Sequence, residues 1–110
     1  MRQYLIDEVN KQDIDKVSAY LHKNAHQSGL LGVYWIHIPD DLLDEIQYRH
    51  DACKPFRFAV EVGRDNVKFE FLIRSQKSHQ CNCIKYATKI QREFITNFCE
   101  NLIETLGIRI

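Results

Sequence analysis

Glycine and proline are scarce in this chain, at four and two among 110 residues. It carries no glycine-rich phosphate loop, no Gly-x-Ser-x-Gly elbow and no EF-hand loop, so nucleotide hydrolysis, serine-hydrolase chemistry and calcium sensing lose their usual sequence support. Neither sign of charge is in excess. Fifteen basic and fifteen acidic residues sum to a formal net charge of zero, which disfavours nucleic acid or an anionic membrane surface as a general partner. Low net charge also weakens colloidal repulsion, which permits self-association as a homodimer. No apolar run approaches the roughly 18 residues of a membrane helix. The stretch from Met1 to Glu8 reaches acidic residues after too short an apolar segment for a secretory signal. The expectation is a cytoplasmic chain with no membrane partner, whose cysteines stay reduced.

The composition itself is that of an ordinary globular protein, 45% hydrophobic and 27% charged, enough apolar surface to offset chain entropy without staples. No repeat, low-complexity tract or linker divides the sequence, so residues 1–110 are expected to form one α+β domain. Asn10, followed three residues later by Asp13, resembles a capping arrangement before Ile14, Val17 and Leu21, and a first helix is expected over residues 11–25. Residues 30–38 include Val33, Tyr34, Trp35 and Ile36 and are apolar at nearly every position, as in a buried strand. Pro39 stops that strand, and the carboxylates of residues 40–46 suit the positive end of a short helix closing near His50.

The clearest signal is a β-hairpin. Phe56, Phe58, Val60 and Val62 alternate with polar or small residues, and so do Val67, Phe69, Phe71 and Ile73, which predicts strands at about 56–63 and 66–74 with one buried face. A turn at Arg64 and Asp65 sets Val60 opposite Phe69, Glu61 opposite Lys68 and Phe58 opposite Phe71. Ile84, Ala87, Ile90, Phe94, Phe98 and Leu102 recur at helical spacing, predicting a long helix over about 83–106 closed by Gly107. The architecture expected is two layers, an antiparallel sheet covered by this helix and the N-terminal one.

Three groups of residues could carry chemistry. His50 and Cys53 precede the first hairpin strand, and Cys81 and Cys83 follow the second. The two ends of an antiparallel pair lie side by side, so the four are candidate ligands for one structural zinc ion. The commoner explanation of the same residues is buried small hydrophobes, loop cysteines and a histidine at a helix end. Cys83, if it occupies the first turn of the long helix near Lys85, is alternatively a thiolate with Cys81 as its resolving partner, as in a thiol-dependent redox protein. Arg74, Lys77, Lys85, Lys89 and Arg92 form a stretch without acidic residues, a candidate anion-binding patch in which Lys85, Lys89 and Arg92 share a face of the long helix, or simply a solvated face. His22 and His26 are four apart, and Tyr34 and Trp35 are adjacent strand aromatics; a polar helix face and core packing explain them best.

No catalytic set emerges. The leading expectation is a non-enzymatic interaction or regulatory module that binds a protein or an anionic ligand through the basic patch, with no cofactor. A redox protein using Cys81 and Cys83, and a domain carrying one structural zinc, are the alternatives.

Overall fold

The computed structural model describes residues 2–109. Strands β1 (Gln3–Ile6), β2 (His26–Gln27), β3 (Val33–His37), β4 (Phe56–Val62), β5 (Val67–Glu70), β6 (Leu72–Ser75) and β7 (Lys85–Tyr86) form an antiparallel sheet. Its order is β1-β5-β4-β3-β2, with β6 pairing β4 beyond β5 and β7 pairing β6. The helices are α1 (Lys11–Asn24), α2 (Glu45–Arg49) and α3 (Lys89–Leu106), with single 3-10 turns at Asp40–Leu42 and Asp51–Cys53. This is the α+β class expected.

Alternation along the hairpin decides which face is covered. Phe56, Phe58, Val60, Val67, Phe69 and Ile73 are fully buried and join Val17 and Leu21 of α1 and Ile95, Cys99 and Leu102 of α3 in one core. Phe58 meets Phe94 and Phe98 edge-on at 6.4 and 6.1 Å between ring centres, the arrangement favoured by ring quadrupoles. The opposite face, presenting Trp35, Ala59, Glu61, Lys68, Glu70 and Arg74, has no helix over it among the described residues.

The hairpin register agrees with expectation near the turn and departs from it farther on. Val60 faces Phe69 and Glu61 faces Lys68, but Phe56 faces Ser75 and Arg57 faces Arg74, an offset of two residues. The offset occurs around Phe71, which leaves the ladder: its N–H donates to the Arg2 carbonyl at 3.0 Å and its carbonyl accepts from Ala87 at 2.7 Å. Phe58 is therefore not placed opposite Phe71, and the expected second strand is two strands.

Two boundaries and one burial pattern also differ from the sequence reading, each for a local reason. The strand expected from residue 30 begins at Val33, because residues 30–32 turn over the sheet edge; Gly32 has φ +80°, and a Cβ there would come within 2.9 Å of the Val62 carbonyl oxygen. All five residues of β3 are half-buried rather than buried, since alternate side chains face the open side. The long helix starts at Lys89, not near residue 83. Thr88 caps it, accepting from the Gln91 N–H while the Gln91 side chain accepts from Thr88, and Lys85 and Tyr86 are drawn into β7 beside Ile73 and Leu72. Gly107 closes the helix in the left-handed conformation, as expected.

Thr88→Ala should lower stability by about 1 kcal/mol, the usual loss for an N-cap hydroxyl, measured as a shift of the urea midpoint with unchanged slope.

Candidate metal centre

Two short segments position the four candidate ligands. In the first, Asp44 and Gln47 form a reciprocal capping box that starts α2, and His50 ends it. The next turn is tight, with the Cys53 N–H donating to the His50 carbonyl at 2.9 Å. In the second, a turn closed by the Ile84 N–H on the Cys81 carbonyl, at 3.1 Å, presents Cys81 and Cys83 just before β7. The pairing of Phe56 with Ser75 brings the segments together. Buried Ser75 fastens them, since its hydroxyl donates to the Cys53 carbonyl and accepts from the backbone N–H groups of Lys77 and Ser78.

The result is a compact donor set. One ligand atom from each of His50, Cys53, Cys81 and Cys83 lies within 4.8 Å of the other three, and Cys81 Sγ is 3.2 Å from His50 Nδ1. Tetrahedral zinc with Zn–S bonds of about 2.3 Å places its sulfurs about 3.8 Å apart, so rotamer adjustments of about 1 Å close the set. Cys83 is buried and the other three are half-buried.

The thiols hold opposite proton affinities. Hydrogen bonding from the Cys83 thiol, its backbone N–H, and then His50 and Cys53 outweighs burial and brings Cys81 down to about 7. Burial, followed by its role as donor to Cys81 and Cys53, pushes Cys83 up to about 12. This corrects the assignment of Cys83 as the thiolate: it precedes α3 by several residues, so no helix dipole acts on it as a first-turn residue. Cys99 stands apart in the core, where burial pushes its thiol up to about 12.

Around the ligands lies a buried polar layer that the ligand pattern did not reveal. Gln47 Nε2 donates to the Cys83 carbonyl at 3.0 Å, while Gln91 Nε2 donates to Gln47 Oε1 at 2.8 Å and to the Leu42 carbonyl at 3.0 Å. Both glutamines are fully buried. Lys85 reaches the Asp44 carboxylate at 2.5 Å. Burial alone would raise the Asp44 pKa, but the Gln47 N–H and Lys85 outweigh it and hold the carboxyl below its ordinary value. A local signal for these residues exists, because Asp44 and Gln47, and Thr88 and Gln91, each have capping-box spacing.

Lys85 does not share a helix face with Lys89 and Arg92. Lys85 is on β7, Arg74 is on β6 and bonds Glu70, Lys77 is in the following loop, and only Lys89 and Arg92 lie on α3. His26 is on β2 rather than α1 and stacks on His37 at 4.4 Å, while His22 bonds the Gln27 amide. Tyr34 packs against the core and Trp35 faces the open side. Among the described residues no helix is long and apolar enough to cross a membrane. Compared with protein-family models, with curated proteins and with solved structures, the chain matches none.

Replacing Gln47 by Leu should cost about 2–3 kcal/mol, because it strands the Cys83 carbonyl and one donor of Gln91; chemical denaturation measures it. The depressed Asp44 pKa has a definite sign. The carboxylate stabilises the fold above its ordinary pKa near 4, and that contribution is lost as pH falls through the lower folded value. Below about pH 4 wild-type stability should therefore fall more steeply than that of Asp44→Asn, in thermal melts across an acid series.

Proposed function

We propose that this chain is a zinc-binding domain in which one structural ion, held by His50, Cys53, Cys81 and Cys83, ties the helical segment before β4 to the turn before β7. The observation that carries this reading is the convergence of four donors within 4.8 Å. Three thiolates with one imidazole are a soft set that suits zinc. Four protein donors complete a tetrahedron and leave no open position for water or substrate, which is the mark of a structural site. Metal binding deprotonates its thiol ligands, so the reluctance of Cys83 to ionise is overcome by the ion itself.

On this reading the ion contributes folding free energy and the domain works as a binding module through a surface elsewhere. The open sheet face supports that division, because it holds the chain's one tryptophan and a row of charged side chains outside the core. The redox alternative rested on a helix-start Cys83, and the structure removes that support.

Metal analysis of protein purified without chelator should give about one zinc per chain. Cys81→Ala should abolish binding, whereas Cys99→Ser should retain it. A chelator should lower the Tm of wild type by more than about 10 °C, equivalent to about 2 kcal/mol or more, and leave Cys81→Ala unmoved. Reduced protein that takes up no zinc in a direct titration would overturn the reading.

A further inference from the structure

The helix-free face of the sheet contains a pair of arginines that the fold only partly neutralises. Arg57 and Arg74 face each other directly across β4 and β6, an arrangement that is repulsive for like charges. Arg74 is partly offset by Glu70, with Nε to Oε1 at 3.2 Å and Nη2 to Oε2 at 3.4 Å. Arg57 has no carboxylate partner among the described residues. Its Nε is shielded from solvent and makes no hydrogen bond, although buried donors are nearly always satisfied. Its guanidinium carbon lies 4.0 Å from the centre of the Trp35 ring. Stacking occupies the flat face of the cation and leaves its in-plane N–H groups for a planar fork onto an oxyanion.

These groups line a recess of about 240 Å³ together with Ser75, Ser78 and His79. Next to it, and sharing Trp35 and Arg74, is a cavity of about 500 Å³ lined by Leu30, Val33 and Ala59 and by the charged Glu61, Lys68 and Glu70. The recess offers two guanidiniums and an imidazole, since the Ser75 and Ser78 hydroxyls are taken up by backbone groups, and the adjoining cavity adds a strip of apolar side chains. Burial and the neighbouring Arg74 both disfavour the charged form of Arg57, a cost that a bound anion would reverse.

We infer that the recess between Arg57 and Arg74 is a phosphate-binding site, and that the ligand is a phosphorylated small molecule whose apolar body lies over Trp35 and along Leu30, Val33 and Ala59. A phosphate dianion matches the two facing guanidiniums better than a carboxylate does, since Glu70 already supplies one carboxylate to the pair. The site shares Arg74 with the basic patch read from the sequence and otherwise draws on residues outside it.

Trp35 is the chain's one tryptophan, so its emission reports ligand arrival directly. Full-length protein is titrated at constant ionic strength with inorganic phosphate, phenyl phosphate, benzoate and phenol. Phenyl phosphate should change Trp35 emission saturably, with a Kd of about 1 mM or tighter. Inorganic phosphate should bind more weakly, and benzoate and phenol more weakly still. Arg57→Gln and Arg74→Gln should each weaken phenyl phosphate about tenfold or more, the loss of one charge-assisted pair, with zinc content and circular dichroism unchanged. Arg57→Lys, which keeps the charge but not the fork, should fall between wild type and Arg57→Gln. Lys89→Gln should bind as wild type. No saturable response to either phosphate, or equal binding of phenol and phenyl phosphate, overturns the site. Equal binding of benzoate overturns the phosphate assignment, and equal binding of inorganic phosphate overturns the apolar body.

Discussion

The antiparallel pairing of Phe56 with Ser75 is the constraint on which the rest of the molecule depends. It closes the wide end of the hairpin and brings a segment that precedes β4 against one that follows β6. Without it, His50 and Cys53 have no reason to approach Cys81 and Cys83, which are about thirty residues away in the chain. Loop closure over that distance is entropically costly, and the strand ladder meets that cost before any metal contributes. The Ser75 hydroxyl then converts proximity into geometry by bonding both segments at once.

The covered and open faces of the sheet obey different rules. On the covered face, phenylalanines interlock with α1 and α3, and the fully buried Gln47 and Gln91 are hydrogen-bonded to each other and to backbone carbonyls. That pair also links the start of α3 to the backbone of Cys83, so the helix and the ligand turn are held as one piece. On the open face, charge is tolerated and even opposed, as with Arg57 and Arg74. A fold that is strict on one side and permissive on the other separates what maintains it from what it leaves open to solvent.

Much of this was legible from alternation and spacing. Period-two patterning located β4 and the region of β5 and β6, and helical spacing from Ile90 to Leu102 located α3. The convergence of His50, Cys53, Cys81 and Cys83 was legible from the hairpin, although the offset that levels its two arms was not. What misled were short-range coincidences: Ile84 and Ala87 continue the helical spacing of α3, yet Thr88 is a stronger start signal, and Lys85 pairs with Ile73 instead. His26 has helical spacing from His22 but lies past the end of α1. Arg57 drew no notice because an isolated arginine in an alternating strand is ordinary; only the register that sets it against Arg74 makes it unusual.

The two-residue offset at Phe71 acts as a length adjuster. Were the register of Val60 and Phe69 continued unbroken, Ile73 would face Phe56 and Ser75 would fall beside Lys54. The start of the following loop would then overrun the end of β4 by two residues, about 7 Å at the rise of an extended chain. That displacement exceeds the 4.8 Å that spans the donor set. Because a shift of two preserves the facing of every side chain, the core would not detect the error. Phe71, standing out of the ladder, absorbs the surplus chain and lets both arms of the hairpin finish level.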